Sequence, residues 1–127
     1  MRKKLMSLLL SITLCLSILS TAVFADDTFY PIWINGEKFS SSHLTIKCGD
    51  GTAQYNEKTN VVTLTNANIT KALGSRDFIA GIFCNRGNLN LVLVGDNSIS
   101  VSGEGIYMYE GALSITGKGN LTINSTY

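Results

Sequence analysis

What most constrains this 127-residue chain is that it repeats itself. Gly81, Ile82, Phe83, Gly87, Leu89 and Leu91 recur in order, 24 residues later, as Gly105, Ile106, Tyr107, Gly111, Leu113 and Ile115. Past that point the best match of residue types makes the second copy two residues shorter, so that Gly95 and Ile99 answer to Gly117 and Leu121. A more degenerate copy precedes both, with Leu64, Asn68 and Ile69 resembling Leu93, Asn97 and Ile99. A period in the low twenties, made of short strands and Gly/Asn turns, is the pattern of a β-solenoid, in which each unit buries its apolar residues only by stacking on a neighbour. Two look-alike hairpins of an antiparallel sandwich are the competing reading. The ordered match of turn glycines together with apolar positions favours the solenoid.

Strand alternation then assigns faces. Ile82 and Cys84 point inward with Leu89, Leu91 and Leu93, and Ile106 and Met108 with Leu113 and Ile115; Phe83, Asn85, Tyr107 and Tyr109 point outward. Upstream, Asn35-Gly36 between two β-rich runs is a hairpin signal and predicts a first hairpin over residues 29–39. A longer turn at residues 56–60 predicts a second, joining strands near 53–55 and 61–65. The stretch from Asn68 to Ala80 has mixed signals; a helical turn at Lys71 to Leu73 is open, and the stretch reads as a loop leading into the repeats.

Residues 1–25 read as a secretory signal: Arg2, Lys3 and Lys4, an apolar run from Leu5 to Val23, and a small residue, Ala25, at the cleavage point. A membrane anchor is the alternative; lipidation of Cys15 is disfavoured because Leu14, not a small residue, precedes it. The expected organisation is a signal peptide, then one domain over 26–127, secreted or at the cell surface and not membrane-embedded after cleavage. Ten basic residues less the three of the signal leave seven against nine acidic ones, so no basic patch points to nucleic acid. Export would permit Cys48 and Cys84 to pair. Cys84 nevertheless holds the inward place that Met108 takes one unit later, which favours a buried thiol over a disulfide.

The phrase GDGTAQYNEKTNVVTLTNANI, residues 49–69, and the units opening Gly-Ile-Phe and Gly-Ile-Tyr resemble a known family. These are the secreted right-handed parallel β-helix modules, labelled carbohydrate-binding, of Gram-positive anaerobic bacteria; the resemblance spans roughly residues 30–125. It implies an all-β fold, a short right-handed parallel β-helix whose N-terminal hairpins (26–70) cap the coils (80–127), and a polysaccharide partner. Such modules carry many coils, so the chain reads as the first part of a longer protein or as a very short member. Fold transfers by resemblance better than function does.

Catalytic chemistry finds little support. Glycoside hydrolysis needs paired carboxylates, whereas Asp50, Asp77, Asp96, Glu104 and Glu110 stand singly; His43 is expected to be an exposed loop residue, and Arg86 and Lys118, the candidates for a lyase base, read as turn residues. No enzyme activity and no catalytic residue are assigned. Calcium is the one cofactor candidate, with oxygens from Asp96 and Asn97 in one turn and Glu104, with Glu110 as a further oxygen, in the next unit, although turn chemistry alone accounts for Asp and Asn there. Phe83 and Tyr107 lead the binding candidates: they hold one position in successive units, about 4.8 Å apart on an outer face, with Tyr109 and Asn85 beside them. Aromatic pairing that merely stabilises strands is the plainer account. Trp33 and Tyr30 are expected to close the open end of the core. The expected function is a non-catalytic exported or cell-surface polysaccharide-binding module; a structural or adhesive stalk, or the N-terminal part of a polysaccharide lyase or hydrolase, are the alternatives. Leu121 and Ile123 complete an inward pattern without a recognisable cap, so self-association through the open last coil is expected.

Overall fold

The computed structural model describes residues 26–75 and 78–126, which fold into strands joined by turns and loops, with no helix among them. The signal-peptide reading of residues 1–25 and the single acid Asp77 lie outside them. In chain order the strands are β1 (Phe29–Ile34), β2 (Glu37–Ser40), β3 (Thr45–Cys48), β4 (Gly51–Asn56), β5 (Val61–Thr65), β6 (Asn68–Ile69) and β7 (Leu73–Ser75). They continue with β8 (Phe78–Cys84), β9 (Leu89–Val94), β10 (Asp96–Ser102), β11 (Glu104–Met108), β12 (Leu113–Gly117) and β13 (Asn120–Thr126). The protein is all-β, as expected.

Both predicted hairpins form. Asn35 and Gly36 adopt φ of 52° and 79°, the left-handed pair that a two-residue turn demands and that few residues other than Asn and Gly tolerate. The turn thereby sets β1 antiparallel to β2, with Trp33 opposite Lys38. Asn35 is also buried and serves as a tie: its Nδ2 donates to the Lys47 carbonyl at 3.1 Å, and its Oδ1 accepts from the amides of Thr70 and Lys71. In the second hairpin the Asn56 side chain accepts from the amides of Lys58 and Thr59, closing the turn that lays β5 against β4. The stretch after Ile69 contains the extended β7, antiparallel to β8, instead of a helical turn.

The repeats stack side by side. β8, β9 and β10 each lie parallel to their counterparts β11, β12 and β13, so that Ile82 faces Ile106, Leu91 faces Ile115 and Ile99 faces Ile123. Three sheets result, in the orders β11-β8-β1-β2 with β7 also on β8, β13-β10-β6, and β12-β9-β5-β4-β3. The offset stays at 24 throughout, which corrects the two-residue shortening expected from residue types: Gly117 pairs with Leu93, and Ile123, not Leu121, pairs with Ile99. Leu121 and Ile123 are two apart on one strand face, so apolar character alone cannot choose between them. The degenerate early copy is real at Leu64, opposite Leu93, and at Ile69, opposite Ile99, but Asn68 faces Ser98 and not Asn97.

Ile82, Cys84, Leu89, Leu91 and Leu93 are buried as alternation requires, joined by Ile34, Phe39, Ile46 and Tyr55 from the front strands. The recurring glycines have a packing reason. A Cβ on Gly81 would sit 2.7 Å from Cγ2 of Ile99, and one on Gly105 2.3 Å from Cγ2 of Ile123, because each marks a close approach of one sheet to another. Cys48 and Cys84 are both fully buried free thiols.

Candidate functional site

On β1, Ile32 and Ile34 are buried, so Trp33 between them must face out; on β8, Ile82 and Cys84 are buried, so Phe83 faces out. Register then does the rest. Lys38 lies opposite Trp33, Trp33 opposite Phe83 and Phe83 opposite Tyr107, which makes one straight row across four neighbouring strands. The Trp33 and Phe83 ring centroids are 5.2 Å apart and tilted by 42°, those of Phe83 and Tyr107 5.7 Å apart and tilted by 24°. Lys38 Nζ lies 4.4 Å from the Trp33 ring centroid and 5.5 Å from that of Phe29. Each aromatic contact contributes about 0.5–1.5 kcal/mol beyond simple burial, and an exposed ammonium over a ring about 0.5–1 kcal/mol.

Trp33 therefore does not close the core, contrary to expectation; period-two alternation turns it out of the core. Tyr30 does pack there, its ring 4.9 Å from that of Tyr55. Its hydroxyl donates to the Glu57 carboxylate, which, with burial second, pushes the phenol up to about 12.

The four residues expected at the binding face are brought together. Asn85 follows Phe83 by two residues and Tyr109 follows Tyr107 by two, and the parallel ladder continues past the strands, with the Tyr109 amide donating to the Cys84 carbonyl at 2.9 Å. The Asn85 amide donates to the Pro31 carbonyl at 3.0 Å, which holds β1 alongside. Tyr109 is 59% exposed. Trp33 and Lys38 are the members that sequence reasoning missed.

The expected calcium ligands are not brought together. Asp96 and Asn97 open β10, whereas Glu104 follows its far end; the six residue steps from Asp96 to Ser102 span roughly 20 Å. Asn97 is, moreover, spent on structure: buried, it accepts from the Ala67 amide at 2.8 Å and donates to the carbonyls of Val94, Gly95 and Asn120. The Asp96 carboxylate accepts from Asn120 Nδ2 at 3.1 Å. Among the described residues no group of three His, Cys, Asp or Glu side chains could hold a metal ion.

Other asparagines do similar stitching: Asn66 accepts from the Asp96 amide and Asn88 from the Ala112 amide, while Asn60 Nδ2 donates to the Asn88 carbonyl. His43 is exposed, as expected, and its Nε2 meets the Glu37 carboxylate at 3.1 Å. Two surface hollows, of about 450 and 390 Å³, lie beside Tyr55 and Glu57 and between Val94 and Lys118; each is lined by a single acidic residue, Glu57 in the first and Asp96 in the second.

No protein family, curated protein or solved structure matches the chain.

Proposed function

We propose that this chain is a non-catalytic, exported or cell-surface module that binds polysaccharide along the outer face carrying Trp33, Phe83 and Tyr107. The supporting architecture would be a short parallel β-solenoid, right-handed as parallel crossovers usually are, with the front hairpins over one end. What supports the solenoid is the constant 24-residue step by which strands in three sheets stack on their equivalents. What carries the binding reading is the in-register row of rings, spaced one per strand. Aromatic side chains suit the apolar C–H faces of sugars, and the Asn85 side-chain carboxamide offers donors and an acceptor to hydroxyls beside them. Affinity would come from several weak contacts made together, so each ring matters and none dominates.

A glycan array tests this directly. Phe83→Ala combined with Tyr107→Ala should weaken binding about tenfold or more, since each lost stacking contact removes on the order of 1 kcal/mol, while circular dichroism keeps its β-signature. Wild-type protein that is folded yet binds no polysaccharide would sink the proposal. It would leave the stalk reading, favoured by the asparagine stitching that ties each repeat to the next.

A further inference from the structure

We infer that the row selects glycans bearing a carboxylate, with the glycan running across the strands and its acidic sugar at the Lys38 end. This rests on the polysaccharide reading of the same face. Phe39 is buried on β2, so its neighbour Lys38 faces outward beside Trp33. Among the described residues Lys38 has no ion-pair partner, and the adjacent Glu37 carboxylate is engaged by His43 at 3.1 Å. The ammonium is instead held against two rings, those of Trp33 and Phe29.

An edge-strand lysine can serve only to discourage edge pairing, and Lys47 on β3 fits that role, exposed on its own sheet edge. Lys38 differs because the rings hold its charge at one end of an otherwise neutral row of Trp33, Phe83 and Tyr107. The steps along the row, 5.2 and 5.7 Å between ring centroids, are comparable to the advance from one sugar to the next in an extended glycan. A chain lying along the row thus meets one side chain per sugar and places one sugar at the ammonium. A carboxylate there gains an ion pair without Lys38 having to leave its ring, because an ammonium has three donors and ring contact uses none of them fully. The row also has a polarity, cation at β2 and phenol at β11, which gives the bound chain a direction.

The test is an array of polysaccharides in matched neutral and carboxylated versions of each backbone, probed with the full chain, Lys38→Gln, Lys38→Arg and the Phe83→Ala/Tyr107→Ala variant. Wild type should prefer the carboxylated member about threefold to fivefold, the scale of a solvent-exposed ion pair. The preference should shrink with added salt, collapse toward unity in Lys38→Gln and persist in Lys38→Arg. Equal affinity for both members, with binding still lost in the aromatic variant, overturns the selectivity and leaves the polysaccharide reading standing. Loss of binding to every glycan in the wild type overturns both.

Discussion

The two repeats use the same residue types at the same positions and end in opposite environments. In the inner one Leu89, Leu91 and Ile99 are at most 1% exposed; in the outer one their partners Leu113, Ile115 and Ile123 are 39%, 45% and 44% exposed. Among the described residues the inner strands have a neighbour on both sides, β9 lying between β5 and β12 and β10 between β6 and β13, whereas β12 and β13 have one. In a stacked array, then, burial is a property of what lies next to a repeat and not of the repeat's own composition. Identical substitutions in the two repeats should therefore have unequal consequences.

The largest difference is expected in the core. Leu91→Ala should lower unfolding free energy by about 3 kcal/mol, as for a buried leucine in a packed interior, and Ile115→Ala by about 1 kcal/mol, because a half-exposed side chain has less burial to lose. Urea denaturation of the two variants checks this, and equal costs would break the comparison.

Alkaline pH should discriminate next. Burial, with the charge of Glu37 second, raises the Cys48 thiol from 9.0 to about 11, and burial raises Cys84 as well. A group whose folded pKa is raised adds stability in full below its unfolded pKa and loses it as pH climbs through the folded one. The window for Cys48 is therefore pH 9 to 11, with a loss of roughly 2 kcal/mol by its top, since one unit corresponds to about 1.4 kcal/mol. The outer repeat has nothing to titrate at the matching place, where Met108 stands opposite Cys84. Denaturation midpoints that stay flat from pH 9 to 11 would contradict the burial of the thiols.

Asparagine substitutions come third. Asn97→Ala leaves the Ala67 amide unpaired and removes a buried tie between repeats, at about 1–2 kcal/mol. Asn120→Ala removes one exposed contact with Asp96 and should cost about 0.5 kcal/mol or less. The thermal midpoints of both variants, measured side by side, report the gap.

The smallest contrast is one of association, read with Leu113→Lys combined with Ile115→Lys. Exposed apolar side chains beside an unpaired strand edge favour association, so wild type should show concentration-dependent light scattering and the double variant should not. A wild type that remains monomeric at high concentration would mean that the outer repeat's exposed face does not drive association.

Much of this was determined by the sequence alone. The Asn35-Gly36 turn, the longer turn at 56–60, the inward set Ile82, Cys84, Leu89, Leu91 and Leu93, and the 24-residue step as far as Ile115 are local or periodic properties, set by backbone preference and alternation. Even the facing of Phe83, Asn85, Tyr107 and Tyr109 follows from alternation within their own segments. Tertiary structure alone decided who sits beside whom. Trp33 meets Phe83 across 50 residues of sequence through antiparallel pairing that no local motif announces, and Lys38 joins the row only because β2 folds back on β1. The parting of Asp96 from Glu104 likewise needed β10 to run extended between them, where the sequence had suggested a turn and the unit after it whose oxygens converge. The physical reason is the same in each case: alternation says which face a side chain takes, while its neighbours across the sheet depend on hydrogen-bond register with a distant strand, and a shift of two residues preserves every face while changing every neighbour.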